Sequence, residues 1–175
     1  MKAGNENLGL VHLYYGTGKG KTTAAMGLAL RALGQGLRVT VVQFLKDGCS
    51  GELEPLKKLG ARIYSGPGTM KFSWQQTPQE RRETYAAQTA LLEEALKEPC
   101  DLLVLDEACG ACCTGLVDEA VLKQAVLSRP SGREVVLTGR EPAPWMREAA
   151  DYITRMDGER HPFERGIRAR KGVEF

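Results

Sequence analysis

Short apolar runs recur along the chain, each closed by a turn and followed by a segment with helical spacing. Residues 8–15 (LGLVHLYY) read as a buried strand. Residues 22–33 then put Ala25, Leu28, Ala29 and Leu33 on one helical face, with Gly34 and Gly36 as stop signals. Residues 38–45 (RVTVVQFL) form a second strand, rich in β-branched residues and closed by Lys46-Asp47-Gly48. A short helix over 52–59 ends at Gly60, and 61–64 read as a third strand. Thr77-Pro78-Gln79-Glu80 opens a helix, with Thr at the N-cap, Pro at N1 and Glu at N3. That helix should reach about Lys97, before Pro99. The run LLVL ends in Asp106 and Glu107, a helix follows over 117–127, and REVVLT at 133–138 is a fifth strand. Residues 144–150 suggest a short helix and 151–156 a sixth strand. Strands alternating with helices imply an α/β fold whose mainly parallel sheet, of about six strands, is covered on both faces.

The first turn carries the chemistry. Gly16, Thr17, Gly18, Lys19, Gly20, Lys21, Thr22 and Thr23 lie between a strand and a helix, the order of a phosphate-binding loop. Glycines let backbone N–H groups curl around anionic oxygens, and the helix N-terminus adds positive potential. Lys21 supplies a full charge and Thr22 a hydroxyl for magnesium. The usual G-x-x-x-x-G-K-[ST] spacing would need glycine at position 15, where this chain has Tyr15, so the loop is one residue short. Asp106-Glu107 is the partner signature: a carboxylate at that strand end can reach the metal held by Thr22. The fold class is therefore P-loop NTPase-like (RecA-like), with three layers.

Arg140 follows the fifth strand at the sheet edge where open α/β folds bind ligands, and its planar fork suits phosphate oxygens. Arg31 lies outside the apolar stripe of its helix, either a solvated arginine or a phosphate contact. Residues 65–78 (SGPGTMKFSWQQTP) are irregular; Phe72 and Trp74 are either core anchors or parts of a functional loop. Cys109, Cys112 and Cys113 invite a zinc or redox reading, but structural zinc needs four ligands and Cys49 and Cys100 form no matching pair, so buried or surface thiols are the simpler reading. The basic tail, 157–175, reads as solvated, and His161 receives no chemistry.

Composition narrows the rest. With 175 residues and 42% apolar content the chain is expected to be one domain, 1–175, with a sizeable core. A net charge of +2 gives no reason to expect nucleic acid or an acidic membrane as partner. No stretch approaches the roughly 20 apolar residues of a membrane span. An odd count of five cysteines fits reduced thiols and a cytoplasmic location. From residues alone, a P-loop ATPase or small-molecule kinase cleaving at the γ-phosphate stays open, as does a nucleic-acid-stimulated ATPase.

The ordered set GTGKGKTT, VVQFLK, KFSW, LVLDE, VVLTGR and GIRARKGVEF closely resembles the ATP:corrinoid adenosyltransferases of the bacterial cobalamin pathway, from Gly9 to the C-terminus. The resemblance implies transfer of the 5′-deoxyadenosyl group of ATP to cobalt(I) of a corrinoid (cobalamin or cob(I)yrinic acid a,c-diamide), with release of triphosphate. It implies a nucleotide held in reversed sense, which makes the short loop a family trait. Gly16 to Thr23 would hold the triphosphate and Arg140 would touch phosphate. Lys21 and Glu107 would serve catalysis, while Thr22 and Glu107 would bind magnesium or manganese. Phe72 and Trp74 would line the corrinoid side. A flavoprotein or other reductase as partner and a homodimer are further family expectations. This chain departs from the family pattern at Thr17, often Asn, at Lys71, often Gly, and in a short segment before the first strand.

Overall fold

The computed structural model describes residues 8–66, 71 and 73–174. Its strands are β1 (Val11–Tyr15), β2 (Val39–Gln43), β3 (Arg62–Ser65), β4 (Leu102–Asp106), β5 (Glu134–Gly139) and β6 (Tyr152–Arg155). They form one sheet in the order β3-β2-β4-β5-β1-β6, and every pairing is parallel. Parallel neighbours require crossovers, and the helices supply them: α1 (Lys21–Gly34), α2 (Leu53–Lys58), α3 (Pro78–Leu96), α4 (Ala108–Cys113), α5 (Glu119–Leu127) and α6 (Pro144–Ala149).

Strand alternation divides the core into two layers. Val39, Val41, Leu102, Val104 and Val136 pack against Ala25, Met26, Ala29 and Ala32 of α1 and Leu56 of α2. Their strand neighbours Val42, Leu103, Leu105, Val135 and Leu137 face the other way, onto Leu92 of α3, Ala108 and Ala111 of α4, Leu122 of α5 and Met146 of α6. The small face of α1 is what lets that helix lie close over the sheet centre.

Most expected elements form where the periodicity put them. The α3 capping box is complete: the Thr77 hydroxyl accepts from the Glu80 N–H at 3.3 Å, and the Glu80 carboxylate accepts from the Thr77 N–H at 2.8 Å. Two differences stand out. The CGACC segment is helical, as α4. The helix expected from residue 117 starts at Glu119, because Leu116 and Val117 are buried and Asp118 caps it by accepting from the Ala120 and Val121 N–H groups. An apolar residue just before a cap reads in sequence like part of the helix. Among the described residues, no helix is long and apolar enough to cross a membrane.

Candidate functional site

The C-terminal strand ends bring the phosphate-type loop, the β2 exit, the β4 acids and the β5 exit to one edge. β1 runs through Tyr15, whose ring lies under the Arg147 guanidinium at 4.9 Å, so the loop opens only at Gly16. The Gly16 N–H donates to the carbonyls of Gly139 and Arg140 at 3.2 and 3.0 Å, and the Gly18 N–H donates to that of Met156 at 2.7 Å. A Cβ on Gly16 would stand 2.3 Å from the Met156 carbonyl oxygen, and one on Gly18 would stand 2.7 Å from the Asp157 backbone. These glycines are therefore required by the β6 exit behind the loop, independently of any phosphate in front of it. Gly20, at φ 114°, is the left-handed N-cap of α1. Lys21 then donates to the Gly18 carbonyl at 2.6 Å, so its ammonium lies over the loop. Partial burial pulls its pKa below the usual lysine value, against the raising influence of Glu107.

The carboxylate that meets Thr22 is Asp106. The Thr22 hydroxyl donates to Asp106 Oδ1 at 2.8 Å, and the Thr138 hydroxyl donates to the same oxygen at 2.7 Å. Asp106 Oδ2 accepts from Lys46 Nζ at 2.7 Å and from Gln43 Nε2 at 3.2 Å. Asp106 is completely buried, so four donors replace the water a carboxylate would otherwise hold. Glu107 stands one residue beyond the strand in a left-handed conformation (φ 58°), its N–H donating to the Thr138 hydroxyl at 2.9 Å. Burial first, and the Asp106 charge second, push the Glu107 carboxyl above the usual range, while Lys46, Lys21 and Arg140 pull the other way. The sequence pattern points to Asp106 and Glu107 together, the family resemblance assigns the metal to Glu107, and neither gives Lys46 a place at the site. Asp106 is legible as the last residue of the apolar run, whereas its register beside Gln43 comes from the strand order. In sequence Lys46 is a turn residue and the end of the VVQFLK motif, with no signal that it meets Asp106.

The oxygen donors here are a hydroxyl and two carboxylates, a set that suits a hard cation such as magnesium. Among the described residues no group of three His, Cys, Asp or Glu is placed to hold a metal by itself. Phosphate oxygens would have to complete such a site.

Arg140 is exposed at the β5 exit, close enough for its charge to act on both Lys21 and Glu107. Arg31 is elsewhere. It occupies the last turn of α1, about 15 Å of helix beyond Lys21 at 1.5 Å per residue, and its charge acts on the Tyr14 hydroxyl. Thr17 and Thr23 are exposed at the two ends of the loop. Trp74 lies in a 3-10 turn, Ser73–Gln75, and is 76% exposed, so it does not anchor the loop to the core. Phe72 lies outside the described residues.

Cys109 is buried, its Cβ against the backbone of Gly139, and burial pushes its thiol up to about 12. Such a thiol is a packing group, too poor in thiolate to react. The basic tail is exposed, as its charge suggests, yet its end is tied to the loop. Lys19 donates to the Val173 carbonyl at 3.0 Å and lies 3.8 Å from Glu174, so the tail returns to the phosphate-type loop. There it borders a cavity of about 540 Å³ whose lining includes Thr22, Thr23 and Lys46 together with Met26, Leu30 and Leu56.

A family profile described as "ATP:corrinoid adenosyltransferase BtuR/CobO/CobP" matches residues 7–175. A corrinoid adenosyltransferase of Pseudomonas aeruginosa is 36% identical over 171 residues, covering 95% of this chain and 84% of that protein. Corrinoid adenosyltransferase CobA of Salmonella typhimurium is 31% identical, with 97% and 87% covered. The corrinoid adenosyltransferase of Escherichia coli K12 is also 31% identical, with 95% and 86% covered. Agreement of that length, repeated in relatives from separate genera, fixes the ancestry: the chain belongs to the ATP:corrinoid adenosyltransferase family.

Proposed function

We propose that this chain transfers the 5′-deoxyadenosyl group of ATP to cobalt(I) of a corrinoid and releases triphosphate, with the Gly16–Thr23 loop gripping the leaving group. Family membership supports the reaction. The observation that carries the assignment of residues is the convergence of the loop, Asp106, Glu107 and Arg140 on one sheet edge. Displacement at the ribose 5′ carbon by cobalt(I) requires no proton removal from the nucleophile. The protein's work is to hold the two substrates in line and to stabilise charge on the departing triphosphate. Lys21, the N–H groups at the α1 N-terminus and Arg140 do the second task.

Thr22, Asp106 and Glu107 would hold magnesium or manganese, which when bound neutralises charge on the triphosphate. Asp106 keeps the Thr22 hydroxyl oriented, and Thr138 and Gln43 keep Asp106 oriented. Trp74, presented to solvent on its short turn, would contact the corrinoid face together with Phe72. The nucleotide would lie reversed relative to other P-loop proteins, a reading supported by the loop that starts at Gly16. A reductase, flavoprotein or other, would supply the electron that makes cobalt(I). A homodimer is the expected assembly and the cytoplasm the expected compartment, the latter supported by five free cysteines.

A carboxyl raised by burial, as Glu107 is, could also activate water for attack on a γ-phosphate. Family membership does not favour that reaction, and the products separate the two. ATP incubated with a chemically reduced corrinoid should yield adenosylated corrinoid and triphosphate in equal amounts. ADP with unmodified corrinoid would eliminate the proposed transfer.

A further inference from the structure

Among the described residues, two that are not glycine have left-handed backbones, Leu45 (φ 52°) and Glu107 (φ 58°). They follow the C-terminal ends of β2 and β4, which are neighbours in the sheet. Side chains rarely accept this conformation, and where they do the surroundings hold them there. At Leu45 the turn is held by its own N–H, which donates to the Gln88 side chain at 3.3 Å, and by the Phe44 N–H, which donates to the Asp106 carbonyl at 2.9 Å. Its effect is on the next residue. The chain doubles back, and Lys46 reaches the strand end with its ammonium 2.7 Å from Asp106 Oδ2 and 3.3 Å from Thr22 Oγ1. The Thr22 proton is already committed to Asp106 Oδ1, so the Thr22 oxygen meets Lys46 as an acceptor.

A protein cation thus holds the two oxygens that a divalent cation would need. Only 26% of the Lys46 side chain is exposed and none of the Asp106 side chain, so solvent screens the pair weakly. We propose that Lys46 is a positioning residue that occupies the cation position between Thr22 and Asp106 and makes metal entry depend on triphosphate. A metal arriving alone must evict the ammonium from its carboxylate and leave it without an anion. A metal arriving with triphosphate brings oxygens that the displaced ammonium can grip, and Lys46 then adds charge to the leaving group. The inference rests on the metal role proposed for Thr22 and Asp106. It adds a consequence: metal and polyphosphate strengthen each other's binding, reciprocally, and Lys46 is the source of much of that coupling.

The test is binding of Mn2+ to the full chain, read from the electron paramagnetic resonance of the free ion, with and without inorganic tripolyphosphate. Tripolyphosphate should tighten Mn2+ binding to the wild-type protein by about tenfold or more, within the usual range of coupling. Lys46→Met should bind Mn2+ alone about tenfold more tightly than wild type and lose most of the tightening by tripolyphosphate. Lys46→Arg, which keeps the charge, should retain the wild-type pattern. Gln43 still donates to Asp106 Oδ2 in the methionine variant; should that variant not fold, Lys46→Gln removes the same charge and can still donate. Unchanged Mn2+ affinity in the neutral variants overturns the proposal, as does a gain that survives Thr22→Val in the same chain. The underlying metal reading fails separately, if Thr22→Val and Asp106→Asn leave Mn2+ binding with tripolyphosphate at its wild-type strength.

Discussion

At the N-terminal edge of the sheet, Glu134 accepts the Gly9 and Leu10 N–H groups at 2.7 and 2.9 Å and meets the His12 ring at 2.7 Å, tying the start of β1 to that of β5. Asp101 does the same for β2 and β4 through the Arg38 N–H and guanidinium, and Asp151 takes the Val11 N–H at 2.8 Å. At the C-terminal edge, Asp106 also sits among amide, hydroxyl and ammonium donors, while Glu107 beside it feels the charges of Lys46, Lys21 and Arg140, and the electrostatics differ. The Arg38 side chain, against some desolvation, holds Asp101 below the usual carboxylate range. Burial pushes Glu134 up, but the Gly9 N–H, the His12 ring and the Leu10 N–H outweigh it, leaving that carboxyl lowered as well. Glu107 is raised. One end of the sheet satisfies its acids and gains stability from them. The other holds Glu107 short of full satisfaction, next to a buried acid and a left-handed backbone, which is how a binding edge stores affinity for a cation and a polyanion.

The sharpest way to break this contrast is Lys21→Ala. If the C-terminal edge serves the leaving group, adenosyl transfer at saturating ATP should fall by about 10²–10³-fold, the usual loss when a preorganised charge stabiliser is removed. The melting temperature should hardly move, because that side chain is anchored on the Gly18 carbonyl of its own loop. Near-normal turnover would refute the role, and an unfolded variant would show that this edge is structural too.

Glu134→Gln probes the opposite edge. It should leave turnover close to wild type and cost about 1–3 kcal/mol in urea unfolding at pH 7, because hydrogen bonds to a charged acceptor are weakened together. The pH dependence has a fixed sign. A carboxyl lowered in the folded state binds fewer protons there than in the unfolded chain, so stability rises with pH across that interval. The contribution of Glu134 and Asp101 is therefore complete above the unfolded values of about 4.3 and 3.9, and is lost as pH falls through the folded ones. Wild-type stability should decline below about pH 5, and Glu134→Gln should decline less steeply. Equal slopes would mean that Glu134 is not held as its partners suggest.

Much of this arrangement was legible in the chain and part was not, for definite reasons. Strand runs such as LLVLD and VTVVQ announce themselves because both faces are buried, and Thr77 to Glu80 carries a complete cap in its side chains. The loop glycines were found, but Gly16 and Gly18 answer to the β6 exit, a contact between segments far apart in sequence. Strand order is equally non-local: only the placement of β2 beside β4 brings Lys46 and Gln43 onto Asp106. Arg31 shows the converse, since a basic residue near a phosphate loop in sequence is a full helix away in space. The short α4 was hidden because cysteines and glycine give no helical periodicity over so few residues.

The finest test concerns Glu107 alone. An acid lifted by burial is a group whose ionised form the fold disfavours, the reverse of Glu134. Glu107→Gln keeps the shape and the left-handed backbone while removing the buried charge and its repulsion from Asp106. In urea unfolding with chelator and without nucleotide, the variant should be more stable than wild type by about 0.5–2 kcal/mol, the usual range for a single stabilising substitution. Transfer should weaken at the same time, since the glutamine offers the cation no charge. Lys21, Lys46 and Arg140 bias the measurement against a gain, because each favours the ionised form of Glu107. A gain despite them would show that desolvation and Asp106 outweigh three cations at this edge. A loss of stability would show that Glu107 is as well satisfied as Glu134, and the distinction between the two ends of the sheet would fall.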